Sequence, residues 1–541
     1  MQPRDPRRLE SAEFDLLVIG GGIQGLAIAY EGASRGLATA LVEAADFGSA
    51  ASFNHQKTAH GGLRALQTGR FDRALEGIRE RRALARIAPW LLRPLPFLTG
   101  TYRSLTRNRA ALRAAFAIDR TLGRRRNDGV PPELHLPPPK LLSRGVTLRF
   151  FPGIDPRGLT GGAQWYDYQM VESDRLTLAF AAAAERAGAV LANYVAAESA
   201  LLDGGAVRGM VAHDRVTNDR IDVRARLTVN AAGAHAGTVM TMFGVSRPVP
   251  LLKAMNLVTA KPARELALAA RTRGGRMLTL VPWRGRALVG TSHSATFASP
   301  DDSAVTAQEV EAFVREANEA FPALQLTAAD VTLVHRGVVP AEPGRATPEL
   351  RGTPEIRDHA GDGARGAMTV IGVKYTTARG VAERAVSRAA RLLGRSIRRS
   401  RTDSTVLPGA GIGDHEAVVI EALRKHRFAL EPAAISRIAS LYAEAGARIV
   451  QLMAEEPALR APAAAGCDAT SAEVVHVIRG EMAVHLADVV VRRMGLGAAG
   501  HPGAHILGGI ARVAAGELGW SEERTAAEIA AVDAFYELTG R

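Results

Sequence analysis

Residues 14–19 (FDLLVI) are almost unbroken apolar positions, a pattern that fits a short buried strand. Gly20, Gly21 and Gly22 follow, then Ile23, Gln24 and Gly25. A helical pattern starts at once (LAIAYEGASRG) and stops near Gly36. A second apolar run, ATALVE, closes on Glu43. Strand, glycine turn, helix, strand and acidic end together predict a dinucleotide site. Gly20, Gly22 and Gly25 would allow a tight turn and close approach of backbone to a pyrophosphate. The helix N-terminus would stabilise its negative charge, and Glu43 would accept hydrogen bonds from a ribose. The bland alternative is a glycine-rich turn without a ligand.

Later patterns return to the same kind of layer. Ser173–Gly188 (SDRLTLAFAAAAERAG) predicts a helix with an N-cap serine and a terminating glycine. AVLANYVA predicts one strand, and 201–223 a β-meander. LTVNAAGAHAG predicts a strand entering a tight turn, and GAMTVIGVKYTTARGVAERAVSRAARLL a strand, glycine turn and helix. Residues 248–340 are strand-rich, with RALVGTSHS as one strand. Thr306 and Glu309 predict a capping box ahead of a helix reaching Phe321. From 401 onward the pattern is helical and alanine-rich. The expected organisation is α/β. A dinucleotide-binding Rossmann-like unit spans 13–400, with an interleaved β-rich substrate layer mainly at 248–340. An all-α C-terminal domain takes 401–541.

Composition narrows the chemistry. One cysteine, Cys467, excludes an intrachain disulfide and a cysteine metal cluster, and fits a reducing, cytoplasmic setting; no metal is expected. The N-terminal MQPRDPRRLESAEF lacks the apolar core of a signal peptide. The longest uncharged stretch, 227–246, contains an asparagine and several glycines and reads as buried strand and turn rather than a membrane span. The net charge of +13 suits a nucleic acid, an anionic membrane surface or an anionic substrate. Nucleic acid is disfavoured: zinc-finger spacing and a basic region with heptads are absent, and aromatics are only 5%. Only six of the 68 cationic residues are lysines, which singles lysines out as compact point charges. Residues 70–126 are strongly basic and helically patterned. They read either as a contact with a membrane surface or as a solvated helix face.

The stretch KTAHGGLR (57–64) places a titratable ring, two glycines and a cation together. Alone it reads as a surface turn. Together with VIGGGIQG, RIAPWLLRPLPF, YDYQMVESDRLTLA, VNAAGAHA, VPWRGRALVGTS, IGVKYTTAR, LPGAG and EMAVHLADVVVRRMGLG, it resembles the FAD-dependent glycerol-3-phosphate dehydrogenases. These lie within the wider glycine-oxidase-like (DAO) flavoprotein superfamily. The resemblance covers nearly the whole chain. It implies FAD, a glutathione-reductase/DAO-type fold with a helical cap, and oxidation of a secondary alcohol. Electrons would pass to a quinone or other acceptor, and the protein would sit in the cytoplasm, peripheral on the inner face of the membrane. It also implies site residues. His60 would take or steer a hydroxyl proton, and Arg64 and Arg357 would hold phosphate bidentately. Lys374 would stabilise negative charge beside the flavin. Gly61 and Gly62 would let backbone approach the ring. Ser52, Val195, Ala232, Gly233 and Thr376 would join Gly20, Gly22, Gly25 and Glu43 around the cofactor.

Three positions depart from that family. Ala65 stands where tyrosine is usual, Asn256 where histidine is usual, and Val339 where arginine is usual. His335 and Arg336 lie just upstream as possible compensation, although strand alternation turns Arg336 to the opposite face from 339. A second reading is therefore a DAO-type enzyme acting on another hydroxy acid, amino acid or amine. A third is a flavin-holding module without catalysis, and a fourth an NAD-only dehydrogenase.

Overall fold

The structure, a computed structural model, describes residues 1–67, 69–104, 108–263, 265–344 and 348–539, with the side chains of Arg64 and Gln67 outside that description. The strand Phe14–Ile19 is buried at every position. It lies centrally in a sheet and pairs in parallel with Arg220–Asn230 on one side and Thr39–Val42 on the other. A strand covered on both faces favours apolar residues throughout, hence a run broken only by Asp15, whose carboxylate is bonded to Ala38 N and Arg226, in place of an alternation. Beyond Thr39–Val42 lies Val190–Ala192. Beyond Arg220–Asn230 lie Ala367–Ile371 and the antiparallel edge Glu355–Asp358.

One face of this sheet carries the helices Ile23–Ser34, Ser173–Arg186 and Ala378–Leu392. Their alanines (Ala27, Ala181 and Ala382 among them) are fully or nearly fully buried and let the helices pack closely. The other face carries the antiparallel pair Val195–Asp203 and Ala206–Asp214, joined to the sheet through residues 220–224 of Arg220–Asn230, and the helix Ala236–Met242.

A second sheet packs beside the first and contains, in order, Val331–Pro340, Leu251–Pro262, Arg286–His293, Met277–Trp283, Ala267–Arg271, Leu92–Tyr102, Leu159–Met170 and Thr58–Ala59. It therefore draws on strands well before residue 248. Leu92–Tyr102 is a strand despite Pro94 and Pro96. Both precede the Phe97–Thr99 stretch that pairs with Ala267–Ala269, so no N–H is needed there on that side. From His415 onward, the helices His415–His426, Pro432–Tyr442, Gly446–Glu455, Ser471–Glu481, Ala504–Leu518 and Glu522–Tyr536 enclose a separate apolar core.

Two local readings need correction. Ser173 is not the N-cap of its helix; Glu172 holds that position, and the Ser173 hydroxyl instead accepts from Lys57 Nζ at 3.0 Å. AVLANYVA is two strands, broken at Asn193–Tyr194, where Tyr194 takes φ +57°. The Thr306–Glu309 capping box forms as expected, at the start of Ala307–Ala320.

Candidate active site

The glycine turn is as tight as its spacing demands. Gly20 has φ +107°, and a Cβ there would lie 2.7 Å from the Ala231 carbonyl oxygen. A Cβ on Gly25 would lie 1.8 Å from the Gly20 carbonyl oxygen. The turn thus fits between the strand end at 231–233 and the first turn of its own helix, and only glycine fits at both positions. Gly22 precedes the helix, and the Ser52 hydroxyl accepts the Ile23 N–H at 2.9 Å. The Glu43 carboxylate accepts from Gly21 N at 2.5 Å and Ala45 N at 2.8 Å. Burial raises its carboxyl above the usual range, although both N–H bonds oppose this. Val195 N donates to the Glu43 carbonyl at 2.8 Å, which fixes the strand that carries the acid. Ala232 N donates to Asn230 Oδ1 at 3.2 Å, and Gly233 (φ +59°) opens the turn beyond. A positive helix end, a Gly-only cradle and an acid at the neighbouring strand end form the donor and acceptor set that a dinucleotide needs, so these residues fit FAD.

The opposite end of the site forms around His60. Thr58–Ala59 pairs antiparallel with Leu159–Met170 in the register Ala59↔Tyr168. That register brings His60 beside Asp167. His60 Nδ1 lies 3.1 Å from Asp167 Oδ2, and the His60 ring is about half exposed. Asp167 is buried and also accepts from Gly61 N at 2.7 Å and from Arg81 Nη1 at 2.5 Å. Burial alone would raise Asp167; the His60 bond and the Arg81 charge outweigh it, so its carboxyl is depressed. An ionised Asp167 requires a proton on Nδ1. Nε2 is then the ring nitrogen available to take a proton. The His60 N–H donates to Thr376 Oγ1 at 3.2 Å, which joins the GVKYTT loop to this cluster. Lys374 is exposed on that loop.

The structure gives Gly61 and Gly62 a packing role. A Cβ on Gly61 would lie 2.2 Å from Arg81 Nη1, and one on Gly62 (φ +79°) would lie 3.0 Å from Ala74 Cα. Both let the chain close onto the helix Phe71–Ile87. Arg64 belongs to the short helix Leu63–Gln67, and its side chain lies outside the described residues.

Sequence reasoning missed three residues here. Asp167 and Arg81 flank His60 from distant segments; Asp167 lies in the quoted YDYQMVESDRLTLA stretch, but nothing local tied either residue to His60. Lys57 is fully buried and donates to the Phe53 carbonyl at 2.6 Å and to Ser173 Oγ. Burial lowers its ammonium below the ordinary lysine range. The scarcity of lysines could have flagged it, as it flagged Lys374. His55 stacks on Tyr375 at 4.9 Å, and burial pushes its ring well below the usual range.

Among the described residues no hydrogen bond joins Arg357 to His60, Asp167 or Arg81, and none of those three lines the cavity that Arg357 borders. That cavity, of about 250 Å³, is also lined by Arg247, Arg351, Pro250 and Thr369. Glu355 bonds both Arg357 (2.7 Å) and Arg351 (2.7 Å). Burial raises Glu355, and these two guanidinium groups more than offset it, leaving the carboxyl depressed. The departures from the family are also resolved. Asn256 is buried and its Oδ1 accepts from Thr291 Oγ1 at 2.7 Å. A Cβ on Gly290 would fall 2.0 Å from that oxygen. Arg336 donates to the carbonyls of Phe535 and Glu537 and therefore does not replace the cation absent at Val339. His335 is buried against Phe53 and Trp283.

Residues 15–388 match the family model of FAD dependent oxidoreductases, and residues 400–525 the C-terminal domain of alpha-glycerophosphate oxidase. The chain is 29% identical to a glycerol-3-phosphate dehydrogenase of Synechocystis over 95% of each protein. It is 29% identical to one of Mycobacterium leprae, over 97% of this chain and 88% of that protein. Among solved structures it resembles the glycerol-3-phosphate dehydrogenase of Bacillus halodurans in complex with FAD. That match has a TM-score of 0.75 and 25% identity, over 98% of this chain and 95% of the other.

Proposed function

The chain belongs to the FAD-dependent oxidoreductase family, and from that premise we propose that it oxidises glycerol-3-phosphate to dihydroxyacetone phosphate and passes the electrons to a quinone or other acceptor. FAD, when bound, supplies the hydride-accepting ring. The remaining work falls to this chain's residues. Gly20, Gly22, Gly25, Glu43, Ser52, Val195, Ala232 and Gly233 would hold the dinucleotide. Gly61, Gly62, Lys374 and Thr376 would border the ring. His60 Nε2 would take the hydroxyl proton while Asp167 holds the ring's orientation and stabilises the resulting imidazolium. Arg64 and Arg357 would bind the phosphate, and the arginine-rich surface would steer an anion toward it. The single observation that carries this reading is the His60–Asp167–Arg81 cluster: a solvent-facing histidine is set into one tautomer by a buried, charge-balanced carboxylate. The glycerol-3-phosphate dehydrogenases among this chain's relatives support the substrate.

The direct test is anaerobic addition of glycerol-3-phosphate to the purified holoenzyme, with the visible spectrum recorded. Bleaching of the flavin bands is expected. Bands that stay oxidised with this substrate, yet bleach with a hydroxy acid, amino acid or amine, would move the protein to the second reading. The specific observation behind that alternative is the loss of polar groups at Ala65, Asn256 and Val339, with Arg336 committed elsewhere.

Arg357→Ala is expected to raise KM for the phosphorylated substrate roughly tenfold to a hundredfold, since a charged hydrogen bond is worth about 1.5–3 kcal/mol. Steady-state kinetics check this, and an unchanged KM removes Arg357 from the substrate site.

Among the described residues no helix is long and apolar enough to cross a membrane. The helix Arg109–Leu122 buries Leu112 and Phe116 inside the protein and exposes Arg113 and Arg120. A membrane contact through 70–126 would therefore be electrostatic rather than insertion of this helix's apolar side.

A further inference from the structure

The loop that carries Glu43 is held from two directions. Within its own domain it is bonded at nearly every step. Ala45 N donates to Glu43 Oε1, the Ala45 carbonyl accepts from Tyr194 N at 2.9 Å, and Gly48 N donates to the Gly21 carbonyl at 3.0 Å. Phe47 packs so closely on the glycine turn that a Cβ on Gly21 would lie 2.7 Å from its ring. Residues 43–48 and the turn thus move as one piece.

The second hold comes from the C-terminal helical domain, more than 400 residues away in sequence. Asp46, three residues after Glu43, accepts from Arg492 Nε at 2.6 Å and from Arg493 Nη1 and Nη2 at 2.5 and 2.7 Å. Asp488 accepts from the Tyr194 hydroxyl at 2.7 Å and also bonds Arg492. Asn193 Nδ2 bridges Asp46 (3.1 Å) and the Met482 carbonyl (2.8 Å). Asp46, Asp488 and Arg493 are each 1% exposed or less. Two carboxylates and two guanidinium groups balance in charge. Such a network is costly to desolvate, so net stability is a weak explanation for it. Fixing a geometry at the place where it sits is the better one.

We propose that the C-terminal domain acts as a retaining clamp for FAD: by gripping Asp46 it positions Glu43, and its docking is thermodynamically linked to binding of the cofactor's nucleotide half. Asp46, Arg492 and Arg493 are positioning residues in this scheme, not contacts of the cofactor. The inference rests on the reading of Glu43 as the ribose acceptor. Linkage is reciprocal. FAD must tighten the docked domain as much as the docked domain tightens FAD.

The test uses the full chain, stripped of FAD and titrated with it by flavin fluorescence. Asp46→Asn is expected to weaken FAD affinity by about 5- to 150-fold, the usual span of coupling between sites. Glu481→Gln breaks a second buried pair of the same interface, Arg175–Glu481 at 2.7 Å, while keeping the residue 481 main-chain carbonyl that Arg493 also holds, so Asp46 keeps both of its arginines. It is expected to leave FAD affinity within about twofold of native if this measured coupling is specific to the clamp. The double variant Glu43→Gln/Asp46→Asn should bind FAD no more weakly than Glu43→Gln alone, because Asp46 acts through Glu43. In the native chain, FAD should slow amide deuterium exchange across 481–493. Native-like FAD affinity in Asp46→Asn, an equal loss in Glu481→Gln, or unchanged exchange at 481–493 each overturns the clamp. If Asp46→Asn does not fold, the exchange measurement on the native chain decides. If Glu43→Gln alone leaves FAD affinity intact, the ribose reading fails. Protection of 481–493 by FAD still tests the linkage separately.

Discussion

Asp167→Asn is expected to slow flavin reduction by roughly 10²–10⁴-fold, the range that a positioned general base contributes. The amide carries no charge to stabilise an imidazolium, and it no longer requires a proton on His60 Nδ1. His60→Gln should show a rate loss of similar size. The two variants should differ in stability. Asp167→Asn leaves the Arg81 guanidinium buried without its counter-charge, whereas His60 is half exposed. A melting point well below native is therefore expected for Asp167→Asn and a near-native one for His60→Gln. Stopped-flow bleaching and thermal melts check both. A native reduction rate in Asp167→Asn would remove the carboxylate from the mechanism. The pH dependence has a definite sign. Folding depresses Asp167, so its stabilising contribution is complete above its unfolded pKa of about 4 and is lost as pH falls through the lower folded value. The melting-point gap between native and Asp167→Asn should thus narrow below about pH 4.

Gly25→Ala is expected to abolish FAD retention. The added Cβ would sit 1.8 Å from the Gly20 carbonyl oxygen. The clashing atom is backbone, so no side chain can swing aside. Either the turn opens or the helix shifts, and each moves the helix N-terminus away from the pyrophosphate position. Gly36→Ala is the control. Gly36 has φ +92°, so alanine there is strained by about 1–2 kcal/mol, yet nothing lies within 4 Å of its Cβ position. That variant should melt earlier and still purify with flavin. A Gly25→Ala protein with full flavin absorbance would refute the cradle.

The nucleotide half of the site was legible in the sequence because its determinants are local. Phe14–Ile19 is buried on both faces and so is apolar at every position but Asp15, which is bonded to Ala38 N and Arg226. Gly20 and Gly25 answer to contacts within a dozen residues or at the adjoining strand end, and Glu43 closes the next strand. The Thr306–Glu309 box is equally local, a reciprocal pair of bonds within one turn. The family follows from these motifs in combination.

The catalytic half was decided by tertiary structure. His60 stood out in KTAHGGLR, but nothing near it named Asp167, 107 residues away, or Arg81. They meet because a two-residue strand pairs with Leu159–Met170 in one register, and a slip of one residue would turn Asp167 to the other face. Gly61 and Gly62 looked like room for a ring, and their neighbours in the fold are Arg81 and Ala74. Arg336 turned away from the pocket, as strand alternation required, but its destination at the 535 and 537 carbonyls depended on where the last helix docked. The Asp46–Arg493 clamp spans 447 residues. Periodicity and glycine spacing record what a residue's own backbone and immediate neighbours demand. Which distant charge ends beside which ring depends on sheet register and domain docking, and these are fixed only when the whole core closes.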